Sequence, residues 1–484
     1  MQPIDSFVEI ENKYDLYKKE IEGINYWVYS RFTIFMTAME QKNNLGAAHR
    51  VNIEKLSDKL RVGAKLIYHS YIRKCQLPKM VDLLVCNHPR RVLGEDGYYE
   101  CCYTTDIVKH YDNSWILEYP YFYEHKVPIR EKNILYTDRA KVSSNLYYQF
   151  VKHFQKKTYG RLLKKIMCDI HVPITELQKA LQIELNEESI GQMLLKRALI
   201  CKSRKKYYEK IINKTQPKVI VEVVSYAMDC MILNELGKEY GITTVEMAHG
   251  IMGNKHVAYN YGKATDIKQF PMYVFVFSDY CKETTPFPID SDMVKAVGYP
   301  RFEHYIKNHT KPVTEKRGVC FVSSGEIGKE LSRLAVELSE RLDMDKWHIY
   351  YKLHPGEFTD WEEYYPWLIG AKIEVVDEKG PSLYEVFSLC DAQIGVRSTA
   401  LIEGMGFNLN TLIYKGFGSD FYEDLCNRGY ASFIQNVQNV QDCLDRLEND
   451  DHQSITDFWK ENATENVIRE LDVIIKNSFS SRNL

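Results

Sequence analysis

Five short segments hold the residues whose types and spacing could do chemistry. Glu246-Met-Ala-His249-Gly250-Ile-Met-Gly253-Asn254-Lys255-His256 puts a carboxylate and two imidazoles in a glycine-containing loop. Imidazole titrates closest to neutrality, so His249 is the first candidate to take a proton from an acceptor hydroxyl, and Glu246 the second. Asn254 and His256 are candidates to bind that acceptor. The plain alternative is a histidine that only fixes a turn. Gly298-Tyr-Pro300-Arg301 offers a proline-fixed turn and a guanidinium suited to phosphate. Ser323-Ser324-Gly325-Glu326 sits where a strand gives way to a helix, and backbone N–H groups at a helix start attract phosphate. Simple N-capping by Ser324 is compatible with that. The ending Gly-Lys-Ser/Thr of a Walker loop is absent.

Lys352-Leu-His354-Pro355-Gly-Glu357 joins a fixed charge to a ring N–H donor, a combination that suits a phosphate leaving group. Pro355 holds His354 in extended backbone. In Gly395-Val-Arg397-Ser398-Thr399-Ala-Leu-Ile-Glu403, Ser398 and Thr399 can cap a helix and bind phosphate oxygens at its positive end. Glu403 follows Thr399 by four residues, on the same helix face, where a carboxylate can accept from ribose hydroxyls.

These segments need strands to carry them. Val219-Ile-Val-Glu-Val-Val224, Thr243–Glu246 and Tyr273–Phe277 lack alternating polarity, as strands buried on both faces do. Helical pattern separates them. The scheme repeats at Gly318–Val322, His348–Leu353, Ile373–Val376, Ala392–Gly395 and Thr411–Tyr414. Repeated β-α-β predicts doubly wound α/β sheets, whose ligands lie beyond the carboxyl ends of the strands. Val81–Cys86, stopping at Asn87-His88-Pro89-Arg90-Arg91, reads as an earlier strand, with Trp115–Glu118 and Asn133–Tyr136 as others. Asp15 to Ala48 is expected to be helical, with Trp27, Phe32, Ile34 and Phe35 packing into a core. Ser144 to Lys214 reads as basic helices. Lys152, Lys156, Lys157, Arg161, Lys164 and Lys165 lie in one of them; a solvated face or attraction to anionic lipid would each explain the run.

A chain of 484 residues is long enough for two cores. The expected division is 1–290, with a helical basic insertion over about 144–214; then 291–454; then a terminal helix, Ile455 to Lys476, crossing back. Net charge of −3 provides no global attraction to nucleic acid. The 12 cysteines form no zinc-type spacing. A polar amino terminus and the lack of a long apolar run lead us to expect a cytoplasmic protein, peripheral on the inner membrane face at most.

In their order, His-Gly, Gly-Tyr-Pro-Arg, Lys-Leu-His-Pro and a Ser-Thr turn resemble the CDP-glycerol glycerophosphotransferases of wall teichoic acid synthesis. The chain also resembles capsule and surface-polysaccharide glycosyltransferases, including bacterial sialyltransferases with a His-Pro motif. The resemblance covers roughly Val219 to Phe433. It implies a GT-B architecture, two Rossmann-like domains facing across a cleft. It also implies His249 as base or organiser, His354, Ser398 and Thr399 on the donor phosphate, Glu403 on the ribose, and Arg301 in its family turn. Here His-Gly is followed by Ile251-Met-Gly-Asn254-Lys255 rather than Thr-Pro-Leu-Lys, and Arg397 stands before Ser398. Sugar transfer is therefore favoured over glycerol-phosphate transfer. The expectation is an inverting transferase with a nucleotide-sugar donor and an oligosaccharide or lipid-linked saccharide acceptor, needing no metal or other cofactor. Phosphoalcohol transfer, a non-catalytic carbohydrate-binding protein and an epimerase are the alternatives.

Overall fold

The computed structural model describes residues 2–42, 56–72, 76–94, 96–121, 124–250, 252–308, 312, 314–325, 327–416, 418–447 and 458–482. The chain divides into two compact units. The first contains 51–301 together with the amino-terminal segment and 461–484; the second contains 302–460.

The first unit is built on a seven-stranded sheet, ordered Val294–Ala296, Tyr273–Val276, Thr243–Met247, Val219–Val223, Leu83–Cys86, Ser114–Glu118, Ile134–Tyr136. All neighbours are parallel. In chain order this is the doubly wound sequence 3-2-1-4-5-6 with a seventh strand added. The winding reverses between Leu83–Cys86 and Val219–Val223, the position where such sheets open a crevice at their carboxyl ends. Apolar residues on these strands are buried on both faces, which is why the sequence shows runs and not alternation. Since Val294–Ala296 is the edge strand of this sheet, the first unit extends to Arg301.

The connection between the third and fourth strands consists of three helices, Asp138–Phe154, Lys156–Leu181 and Glu187–Thr215. The last helix of the chain is Ala463–Arg482, a later start than the sequence suggests; 455–457 fall outside the described residues. Val467, Leu471 and Ile474 from this helix pack into the core of the first unit with Val219, Val245 and Phe275.

The amino-terminal segment departs from expectation. Asp15 to Ser30 forms a short 3-10 turn and a two-stranded hairpin, and helix resumes only over Arg31–Lys42; 43–48 lie outside the described residues. The cause is backbone: Asp15, Glu22 and Gly23 all adopt positive φ, which breaks helical propagation. Trp27, Ile34 and Phe35 are buried, while Phe32 stacks on Tyr226. Arg31 and Glu11 form a fully buried ion pair at 2.6 Å.

The second unit repeats the scheme with a six-stranded parallel sheet, ordered Glu374–Val376, Trp347–Lys352, Arg317–Val322, Ala392–Gly395, Asn410–Tyr414, Ser432–Ile434. In chain order this is 3-2-1-4-5-6, and the winding reverses between Arg317–Val322 and Ala392–Gly395. No helix among the described residues is long and apolar enough to cross a membrane.

Candidate functional site

At the reversal point of the first sheet, three histidines and three tyrosines gather from separate stretches of chain. The fourth strand leaves through Val224 at φ +66, a conformation a β-branched residue resists. That turn aims the Ser225 N–H at Glu246 Oε1, 3.0 Å away, and Tyr259 OH donates to the same oxygen at 2.8 Å. Glu246 is fully buried, and through Tyr259 it ties the strand end to the chain that follows the His249 loop. Burial pushes its carboxyl up to about 7. Glu222, equally buried, is its register neighbour on the adjacent strand and accepts from Asn234 Nδ2 at 2.7 Å. Burial first, and Glu246 second, hold Glu222 well above the carboxylate range.

His249 follows on the loop. Its Nε2 lies 3.1 Å from Tyr226 OH, and its backbone carbonyl accepts from Tyr103 OH at 3.0 Å. Its Nδ1 is buried, makes no hydrogen bond, and lies 3.9 Å from Glu246 Oε1, too far for one. Burial, with His256 and His88 nearby, lowers its pKa to about 3, so the ring is neutral at physiological pH. His256 packs among Phe32, Tyr226 and Tyr259, and burial lowers it to about 4. Asn254 is exposed, and its carbonyl accepts from Asn260 Nδ2.

Two contributors went unassigned in the sequence reading. His88, after the first strand, is half-buried, lies edge-on to Tyr103 and is lowered to about 4 by burial and by Arg90. Its signal was present, a strand ending in Asn-His-Pro, but only the sheet order shows that this end adjoins Val224 and Ser225. Its loop is fixed by a buried chain of polar groups: Asn87 Nδ2 donates to Glu118 at 2.9 Å, and Arg91 Nε donates to the same oxygen at 2.7 Å. Arg31 is the second. Its guanidinium donates to the carbonyls of Val257 and Asn260, clamping the far end of the histidine loop.

At the reversal point of the second sheet, Ser323 and Ser324 leave the first strand, and Arg397, Ser398 and Thr399 leave the fourth. The strand ends approach closely: a Cβ on Gly395 would lie 2.9 Å from the Val322 carbonyl. Arg397 has φ +57, so here too the fourth strand exits through a left-handed non-glycine residue. Ser398 caps the helix Thr399–Gly406, accepting from Ala400 N–H at 3.3 Å. Tyr422 OH donates to the Ser398 carbonyl at 3.0 Å. Thr399 is exposed and Glu403 half-buried one turn on. Gly404 lets this helix lie on its strand, because a Cβ there would meet the buried Gln393 amide at 2.1 Å.

Glu357 organises the other half of this site, a role that motif reading did not assign. It accepts from Ser323 Oγ at 3.0 Å, from the His354 N–H at 2.7 Å and from Tyr365 OH. His354 Nδ1 accepts from Gly356 N–H at 3.1 Å, so in the neutral ring the proton resides on Nε2, which becomes a donor. The helix after Ser323-Ser324 runs from Gly328 with Ile327 as its N-cap, so Ser324 does not cap it; Glu326 lies outside the described residues. Ser324 Oγ is buried and has no hydrogen-bond partner among the described residues. Lys352 donates to the carbonyls of Asp377 (3.2 Å) and Pro381 (3.1 Å), so two of its three donors clamp the next loop. Arg301 is half-buried in the first turn of Pro300–Asn308, at the end of the first unit. No group of metal-binding side chains occurs among the described residues.

Two Rossmann-like units in tandem, with the closing helix returned to the first, define an α/β protein of GT-B architecture. No family model matches the chain, and no curated protein does. Among solved structures, the wall teichoic acid polymerase TagF aligns over 90% of this chain and 100% of its own at 10% identity, TM-score 0.46. The S. aureus MnaA–UDP structure aligns over 62% and 86% at 12% identity, TM-score 0.44. The glycotransferase of kitacinnamycin aligns over 84% and 99% at 12% identity, TM-score 0.43. Likeness at this level assigns no reaction, and the fold assignment rests on the chain's own strand orders.

Proposed function

We propose that the protein is a glycosyltransferase that moves a sugar, with inversion, from a nucleotide-sugar to a surface-polysaccharide acceptor. The observation carrying this reading is the reversal point of the second sheet. Ser324 Oγ, a buried hydroxyl with no hydrogen-bond partner among the described residues, follows the strand that pairs with the one leading to a capped helix start bearing Arg397, Ser398 and Thr399. Buried polar groups are nearly always satisfied, so a vacant hydroxyl at a strand end suits a ligand oxygen. Phosphate oxygens also suit the helix start, and His354 Nε2–H adds a neutral donor. Glu403 lies one turn further on for the ribose. In the first unit, the neutral His249 takes the acceptor proton, while Tyr226 positions its ring.

The test is equilibrium binding of UDP, GDP, CMP, CDP and dTDP and their sugars to the purified chain, followed by turnover with acceptor. Binding of one nucleotide, weakened by Ser324→Val and Ser398→Ala, supports the reading; no binding and no hydrolysis of any donor overturns it. Phosphate retained in the product would indicate phosphoalcohol transfer instead.

A further inference from the structure

The helix Asp138–Phe154 buries Ala140, Ser144, Tyr148 and Val151. Its opposite face carries Leu146, Phe150 and Phe154, spaced by four residues and 62%, 49% and 80% exposed. At 100° per residue, Leu146 and Phe150 lie about 160° around the helix from Tyr148 and Phe154 about 120°. The two phenylalanine rings stack on each other at 5.6 Å, near the junction with the next helix. Exposed apolar groups aligned in one stripe need an occupant.

Charge indicates which. Between Asp138 and Asp169 the chain has no acidic residue, but it has Arg139, Lys141, Lys152, Lys156, Lys157, Arg161, Lys164 and Lys165. Lys152, Lys156, Lys157, Arg161 and Lys164 are exposed. The other basic run differs: in Glu187–Thr215, Arg197, Lys202, Arg204 and Lys205 are committed to Tyr29, Glu22, Asp229 and Glu235. Lys206, Lys210 and Lys214 of that run are exposed as well, but only the cations from Lys152 to Lys164 adjoin the apolar stripe along the chain.

We infer that this helix junction docks on an anionic lipid bilayer, with Leu146, Phe150 and Phe154 entering the acyl boundary and the flanking lysines meeting headgroup phosphates. The inference goes beyond the transferase reading and does not depend on it, because its readout is partition and not turnover. Co-sedimentation of the full chain with phosphatidylcholine vesicles, with and without phosphatidylglycerol, tests it. Each cation near an anionic surface is worth about fivefold in partition, so Lys156→Gln with Lys157→Gln should weaken binding by roughly 25-fold. Phe150→Ser with Phe154→Ser should weaken it at least tenfold. Both pairs are exposed, so the thermal melt should not move. Equal partition onto neutral and anionic vesicles overturns the inference, as does partition indifferent to the phenylalanine pair. A dimer in sedimentation velocity that the same pair dissociates, without vesicle binding, would assign the stripe to a second copy of the chain and also overturn it.

Discussion

Replacing Glu357 with Gln probes the second-unit site without changing its volume. The carboxylate receives three donors, from Ser323, the His354 backbone and Tyr365. The amide can keep one oxygen for Ser323 and Tyr365, but its NH2 then faces the His354 N–H, donor against donor. A hydrogen bond to a charged group is worth about 1.5–3 kcal/mol, and a buried donor left unmade costs about 1–3 kcal/mol. The expected loss is therefore about 3 kcal/mol, a large share of the roughly 5–15 kcal/mol that holds a domain folded. Urea unfolding followed by indole fluorescence should show an earlier midpoint with the slope unchanged. Because the same carboxylate fixes the His354 turn, nucleotide affinity should fall in the surviving folded fraction. Gly328→Ala attacks the same network, since a Cβ there would lie 2.0 Å from Tyr365 OH and 2.6 Å from Glu357 Oε1. An unmoved midpoint together with undiminished nucleotide binding in Glu357→Gln would refute this account of the site.

Three further predictions follow from the same geometry. His249→Gln should lower kcat/KM by about 10²–10⁴, the usual worth of a general base, with little change in melting temperature; full turnover would remove His249 from the mechanism. Glu246 holds a proton in the folded state up to about pH 7, above its unfolded value, so stability linked to it is complete below the unfolded value and is lost as pH rises toward 7. His249, His256 and His88, lowered by burial, oppose that slope: their contribution is complete above pH 6.5 and is lost on acidification. The difference in unfolding free energy between the parent and Glu246→Gln should therefore grow in favour of the variant by about 3 kcal/mol from acid to neutral pH, and a pH-independent difference would contradict the buried-carboxylate account. Leaving-group stabilisation by Ser398, Thr399, His354 and a helix start predicts turnover insensitive to EDTA, measured by nucleotide release; loss restored by a divalent ion would shift that role to metal.

Much of the scaffold is legible in the sequence because strands buried on both faces are mostly apolar without alternation, and runs such as Val219–Val223, interrupted only by Glu222, and Gly318–Val322 say so directly. The polar residues that end these runs are legible for the same reason: a run that stops at Ser323 or Gly395 marks a strand end. The amino-terminal segment is harder to read. Between Asp15 and Ser30 its aromatic residues fit a helical stripe, yet positive φ at Asp15 and Glu22 turns them into a hairpin instead. Lys352 resembles a phosphate ligand by type, but carbonyls of the next loop hold two of its three donors.

By itself the sequence determined which residues stand at strand ends, since burial of the preceding run and the polarity of the following turn are local properties. The tertiary structure decided which strand ends are neighbours. His88 joins His249 because Leu83–Cys86 pairs with Val219–Val223, more than 100 residues later, and that strand pairs with Thr243–Met247; Ser323 joins Ser398 because Arg317–Val322 pairs with Ala392–Gly395. Hydrogen bonding between distant strands, and the burial that makes Glu246, Glu222 and Glu357 hold or organise their neighbours, arises only once the sheets are assembled, so no local pattern encodes it.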